Sequence, residues 1–256
     1  QLNTYDAATG EKIATLYKEH HDKYVHPVTP VTFLPWDNTK FILQSEKDGY
    51  NHLYLFNTKG EQLKQLTSGQ WVVLDIIGFN ESKKNVIIKS TESSPLQNNI
   101  YSVSISNGKR TLLDNGRGVH AAYSYSPILS ASGNMLFDHY SEPSVPRNID
   151  IINTTTAKRR EIFSAADPWQ GYNVPKYQSG SIKAADGKTD LYYRIVYPVN
   201  FDNQKKYPTV VYVYGGPGTR NVEARWHWAS RSWETYMAQK GYLLFILDNR
   251  GSSDRG

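Results

Sequence analysis

No cysteine occurs among the 256 residues of the chain. Disulfides, thiolate metal sites and a cysteine nucleophile are therefore excluded, while the redox compartment stays open. Methionine is nearly absent too, with two residues. Long apolar runs are missing: the longest, such as Leu243-Leu-Phe-Ile-Leu247, are strand-sized and far below the roughly 18 residues of a membrane-spanning helix. Charge of one sign is not concentrated either. The 29 Lys and Arg are scattered among 24 Asp and Glu, for a net charge of +5, and the longest basic cluster is Lys158-Arg159-Arg160. Nucleic-acid binding would want a basic stripe with interleaved aromatics, so none is expected, and that cluster reads as a solvated strand face or turn. A signal peptide is lacking as well. Gln1 falls inside a repeat, which sets the expectation that the natural start lies upstream.

What is abundant points to strands. Tyrosine appears 19 times, and β-branched residues recur in short runs, which favours a largely β protein. The length suffices for one large domain or two ordinary ones with a sizeable core. Four hairpin-like units repeat: an alternating strand, a polar turn, a second alternating strand. Their turn residues are Gly10, Gly60, Gly108 and Ala157, at intervals of 50, 48 and 49 residues. A fixed period near 49 with hairpins predicts β-propeller blades.

Two further strand candidates lie between successive hairpins: Val31–Pro35 and Lys40–Ser45, Val73–Gly78 and Asn85–Lys89, Ala121–Ile128 and Asn134–Asp138. The count is the outer half of one blade followed by three whole blades, about three and a half in all. Since a ring needs at least four blades, residues 1–165 read as the C-terminal blades of a propeller.

The period breaks at Asp167-Pro-Trp-Gln-Gly-Tyr-Asn-Val-Pro175, so residues 166–179 read as a linker or domain crossing. Residues 180–256 follow an α/β grammar. Gly180–Gly187 and Thr189–Tyr197 predict an antiparallel hairpin joined at Asp186-Gly187. Tyr207–Gly218 reads as a buried strand that stops at Gly-Gly-Pro-Gly. Trp226–Lys240 has helical composition ended by Gly241, and Tyr242–Asp248 is another buried strand. Strand, helix, strand with short connections implies a parallel pair with a right-handed crossover. Ligands in such folds sit beyond the carboxyl ends of the strands, where a glycine-rich loop brings backbone N–H groups close to a developing negative charge.

Tyr212-Val-Tyr-Gly-Gly-Pro217, with Asp248-Asn-Arg-Gly-Ser252 and Arg255-Gly256, resembles the prolyl oligopeptidase family of serine peptidases, in its dipeptidyl peptidase IV branch. Ser45–Tyr54 followed by Leu66–Trp71 looks like the propeller of that branch, so the resemblance covers nearly the whole chain. It implies a propeller joined to an α/β-hydrolase domain, of which this chain would hold the N-terminal half. It also implies cleavage of short peptides, typically after proline near the amino terminus, with a peptide as the partner and no cofactor. The intact enzyme could be a homodimer, and periplasmic or secreted placement is usual for bacterial members.

By position in the motif, Tyr214 corresponds to the tyrosine whose hydroxyl helps to hold the oxyanion. A neutral phenol donates a hydrogen bond to an alkoxide without changing its own protonation. Gly215, Gly216 and Pro217 are expected to shape the loop. Arg250 and Arg255 are expected to pair with acids and fix the segment after the last strand. Asp248 precedes any nucleophile and so does not fit the order Ser, Asp, His of a hydrolase triad.

The chain departs from the family pattern in one respect: no Gly-x-Ser-x-Gly nucleophile elbow occurs in it. Gly251-Ser-Ser-Asp-Arg255 ends in arginine and lacks a following helix. The expectation is that nucleophile, acid and histidine all lie beyond Gly256 and that this chain alone is inactive. The histidines do not replace them: His20, His21, His26, His52, His120 and His139 fall in the blades, and His227 at the start of the predicted helix. His20-His21-Asp22 has no further converging ligand, so no metal is expected. Glu46 and Asp48 occupy a turn and are expected to face solvent. Two other readings stay open: a propeller binding a protein or glycan with a degenerate hydrolase part, and an acylaminoacyl peptidase or oligopeptidase on the same scaffold.

Overall fold

The structure is a computed structural model that describes residues 1–23, 25–26, 30–120, 127–226 and 232–255. Its first strands, β1 (Leu2–Tyr5) and β2 (Lys12–Tyr17), form a two-stranded antiparallel sheet. The next sheet has the order β3-β4-β5-β6, from Thr32–Leu34, Asp37–Ser45, His52–Asn57 and Gln62–Gln65. A third comprises β7 (Val73–Asn80), β8 (Asn85–Ser90), β9 (Asn99–Ser104) and β10 (Arg110–Leu112), again in sequence order. The fourth orders β11 (Val119–His120), β13 (Met135–Glu142), β14 (Val145–Asn153) and β15 (Arg159–Ser164), with the short β12 (Ile128–Leu129) also paired to β13. Meandering four-stranded sheets at a constant period are a partial propeller, as the repeat implies. Of the predicted strand Ala121–Ile128, residues 121–126 lie outside the described residues.

The repeat has a stereochemical basis. Each hairpin closes through a residue with positive φ: Gly10 at 74°, Gly60 at 86°, Gly108 at 72° and Ala157 at 55°. Glycine enters this region without steric penalty, whereas a Cβ there costs roughly 1–2 kcal/mol. The fourth hairpin accepts that strain at Ala157, whose N–H donates to Asn153 O at 2.8 Å. Space is limiting at Gly60, where a Cβ would lie 2.5 Å from Leu16 O in the preceding sheet.

Alternation along the strands stacks the sheets face to face. In β4, Phe41 and Leu43 join Tyr54, Phe56, Leu2 and Leu16 on the side of the first sheet. Ile42 turns the other way, toward Leu53, Leu55, Val86, Ile88 and Val103. β8 repeats the division, with Ile87 packed against Ile100, Leu136 and Ile152 of the last two blades. Both faces of these strands are buried, which is why they read as continuous apolar runs.

Beyond the blades, β16 (Tyr177–Lys183) and β17 (Asp190–Val196) form the hairpin expected around Asp186-Gly187. β16 starts ahead of Gly180, inside the segment read as linker, because Tyr177 still pairs with Val196. β18 (Thr209–Val213), α1 (Ser232–Gln239) and β19 (Leu243–Leu247) complete the unit. β18 and β19 are parallel, Thr209 opposite Leu243 through Val213 opposite Leu247, and the sheet order is β16-β17-β19-β18. Of the predicted helix Trp226–Lys240, Ser232–Gln239 is helical and Trp226 is not. The Trp226 N–H instead donates to Ser141 Oγ of the blades at 3.0 Å; residues 227–231, with His227, lie outside the described residues. Val196, Val222, Ala238, Leu244 and Ile246 make the core of this part. No described helix is long and apolar enough to cross a membrane.

Candidate active site

The strand β18 alternates, with Val210 and Tyr212 turned to the core and Val211 and Val213 61% and 48% exposed. At its carboxyl end Tyr214 leaves the sheet with 53% of its surface exposed. Among the described residues nothing hydrogen-bonds its hydroxyl. Gly215 and Gly218 carry φ of 77° and 76°, which is what lets the chain bend over residues 216–218. Gly216 makes room for the tyrosine, since a Cβ there would stand 2.9 Å from Tyr214 Cε1. Pro217 lies over Gly251, where a Cβ would come within 3.5 Å of the proline Cα.

The segment after β19 holds this loop by its backbone. Gly218 N–H donates to Gly251 O at 3.0 Å, and Asn249 Nδ2 donates to Gly216 O at 3.3 Å. Asp248 is 2% exposed. Its carboxylate accepts from Asn221 N at 2.9 Å, Asn221 Nδ2 at 3.2 Å and Val222 N at 3.0 Å. A buried charge satisfied by three N–H groups is a structural anchor for the chain after the loop. Arg250 meets an acid, Asp186, at 2.9 Å. Backbone N–H groups of Thr189 and Lys188 hold the Asp186 carboxyl below its ordinary range, with a smaller contribution from Arg250. Arg255 instead donates to two carbonyls, Asp190 O at 3.2 Å and Asn249 O, with its guanidinium 5.4 Å from the centre of the Tyr192 ring. The site residues expected from sequence are thus brought together at the carboxyl edge of the β18-β19 pair. Asn221 lies outside any motif, and Asn249, although inside Asp248–Ser252, carries no role that the sequence alone assigns.

A second candidate lies in the blades. His120 is fully buried, with Nδ1 2.6 Å from Asp138 Oδ2. Its Nε2 faces Arg117 O at 2.9 Å, Asn115 Oδ1 at 3.3 Å and Asp114 Oδ2 at 3.5 Å. The ring stacks on Tyr140 at 5.0 Å. A histidine with an aspartate on Nδ1 has the outline of part of a triad. Here, though, protein groups already surround both nitrogens of a fully buried ring, so neither nitrogen is open to a substrate. Burial alone would lower its pKa, but Asp138 and Asp114 together hold it above histidine's ordinary value.

Its stabilisation is therefore complete below about pH 6.5 and lost as pH rises through the higher folded value. Asp114, raised mainly by burial, acts with the same sign. The urea midpoint should fall as pH is raised above about 6.5, and His120→Asn should flatten that fall; equal slopes in both proteins would contradict it. Nearby, a polar cavity of about 380 Å³ is lined by Asn115, Arg117, Tyr140, Asp150, Arg159 and Glu161; Tyr214 does not line it. Glu46 and Asp48 are exposed. No group of three or more histidine or carboxylate side chains is arranged for a metal ion among the described residues.

The chain is similar to known proteins over most of its length. A Bacteroides ovatus structure assigned as a dipeptidyl aminopeptidase IV superposes with a TM-score of 0.90 at 45% identity, over 99% of this chain and 38% of that one. The dipeptidyl peptidase 4 of Porphyromonas gingivalis gives a TM-score of 0.77 at 28% identity, over 88% of this chain and 31% of its own. Dipeptidyl peptidase 4 of Trichophyton equinum is 31% identical over 218 residues, 83% of this chain and 28% of that protein. The chain thus spans between about a quarter and two fifths of the proteins it matches. The family model for the N-terminal region of dipeptidyl peptidase IV matches residues 1–147, more than half of the sequence, and the chain belongs to the dipeptidyl peptidase IV family.

Proposed function

We propose that this chain supplies the last blades and the oxyanion wall of a serine exopeptidase that releases short peptides from free amino termini, after proline. The observation that carries this reading is Tyr214, an exposed phenol without a hydrogen bond among the described residues, presented by a glycine-rich loop that Asn249 and Gly251 fasten from below. Such a group is suited to an alkoxide that exists only during reaction. The names of the similar proteins support peptidase chemistry.

In the proposed mechanism a serine, activated by a histidine, attacks the carbonyl carbon of the scissile bond. The carbonyl electron pair moves onto oxygen, which Tyr214 and a backbone N–H hold. The intermediate collapses to an acyl-enzyme, and the leaving amine takes the proton that the histidine carried; water then releases the acyl group by the same path. Serine, histidine and its orienting acid would come from polypeptide outside these 256 residues. The blades would restrict access to peptides of short length.

The test compares chromogenic Xaa-Pro substrates with free and with acetylated amino termini on the longer polypeptide that contains this chain. Hydrolysis of the free form alone is expected. Equal hydrolysis of both would favour an acylaminoacyl or oligopeptidase activity, and no hydrolysis of either would leave a binding module. Purified residues 1–256 should be inactive on both substrates, since one oxyanion donor without a nucleophile has no intermediate to stabilise.

A further inference from the structure

Between the Tyr214 loop and Trp226 the chain crosses onto the blades, and one buried cation joins the parts it passes. The Arg220 side chain is 6% exposed. Its guanidinium donates to Pro95 O at 2.9 Å and Asn98 Oδ1 at 3.1 Å, both in the turn between β8 and β9. It also donates to Glu223 Oε1 at 2.8 Å and stands 3.4 Å from Asp254 Oδ2, beyond β19. Ala224 N–H donates to Leu96 O at 2.8 Å beside it.

Asn98 is itself held by the following blade: its N–H donates to Gly118 O at 3.2 Å, and its carbonyl accepts from His120 N at 3.0 Å. The arginine therefore grips a fixed point of the propeller. Burying a guanidinium carries a heavy desolvation penalty that only full hydrogen bonding offsets, and apolar packing joins surfaces without it. What the planar fork adds is direction, because several donors must meet several acceptors at once.

That direction bears on Tyr214. Ahead of Arg220 the loop is held by the bonds from Asn249 to Gly216 and from Gly218 to Gly251; behind them, Arg220 is the first tie to the blades, before those of Ala224 and Trp226. Since the Tyr214 hydroxyl has no bond of its own among the described residues, its aim follows from the backbone. We propose that Arg220 is a positioning residue that couples the seating of the propeller to the presentation of the Tyr214 hydroxyl. This rests on the reading of Tyr214 as an oxyanion donor.

The experiment is a double-mutant cycle on the full-length enzyme, with kcat and KM measured for an Xaa-Pro 4-nitroanilide in wild type, Arg220→Met, Tyr214→Phe and the pair. Arg220→Met should lower kcat by about 10- to 100-fold with KM nearly unchanged, as expected when a distant change shifts a reacting group. In the Tyr214→Phe background it should lower kcat no more than about twofold further. Arg220→Lys, with charge but no fork, should recover only part of the loss.

An unchanged kcat in Arg220→Met, or losses that multiply in the pair, would overturn the positioning role while leaving Tyr214 in place. An unchanged kcat in Tyr214→Phe would refute the Tyr214 reading and this proposal together. Should Arg220→Met not fold, Asn98→Ala removes one acceptor on the blade side and keeps the arginine; it should show a smaller loss of kcat that likewise vanishes in the Tyr214→Phe background, and a loss that persists there would overturn the proposal.

Discussion

Replacing Tyr214 by phenylalanine in the full-length enzyme is expected to lower kcat by about 10²–10³-fold, the usual consequence of deleting one oxyanion donor. The substitution removes a single oxygen. The ring stays against Gly216, where a Cβ would meet it at 2.9 Å, and the hydroxyl has no structural bond to lose among the described residues. Stability should therefore change by no more than about 0.5 kcal/mol, as for most surface replacements. KM should move little, since the alkoxide that the hydroxyl serves forms only in the transition state. Steady-state kinetics with active-site titration separate these quantities. A kcat within about twofold of wild type would be too small for an oxyanion donor and would remove Tyr214 from the mechanism.

The second large effect is on folding. Arg194 of β17 and Glu234 of α1 form a two-pronged ion pair at 2.6 and 3.2 Å, with side chains 12% and 2% exposed. The Thr235 hydroxyl also bonds Tyr177 at 3.0 Å, and Val199 N–H donates to Ala238 O at 3.3 Å. Arg194→Met would leave the Glu234 charge buried and uncompensated, which costs about 3–5 kcal/mol when a buried pair is broken. A domain with about 5–15 kcal/mol in hand feels that severely. Arg194→Met combined with Glu234→Leu should recover most of the loss, because two apolar groups of matching volume are often as stable as the pair they replace. Urea unfolding of the three proteins measures both statements. A loss below about 1 kcal/mol, the ordinary worth of an exposed pair, would show that water reaches Glu234.

The blades were legible in the sequence because a left-handed turn residue recurs at a fixed interval, at Gly10, Gly60, Gly108 and Ala157. The last of these shows that the hairpin dictates the conformation and glycine merely eases it. The parallel pair was legible from two short apolar runs separated by a helical stretch. The non-helical state of Trp226 was not. Helical composition at that residue loses to a tertiary bond that draws Trp226 onto Ser141, 85 residues away. Nor could any pattern place β19 between β17 and β18, since the uniformly apolar run Leu243–Leu247 carries no mark of its neighbours.

At the site, Tyr214 and its glycines stood out because a β run ends there abruptly. The bonds that hold the loop did not, because Asn249 acts on the backbone of Gly216, Asn221 on a carboxylate 27 residues away, and Arg220 on Pro95 and Asn98, more than 120 residues away. His120 is similar. Its partner Asp138 lies 18 residues off, on the facing strand.

In the proposed mechanism Tyr214 faces the oxygen that becomes negatively charged. A crystal structure of the full-length enzyme with a dipeptide boronate bonded to its serine tests this most directly, since the boronate oxygens stand where the oxyanion forms. The Tyr214 hydroxyl is expected at about 2.7–3.1 Å from one of them. A hydroxyl turned to solvent, with another group in its place, would contradict it.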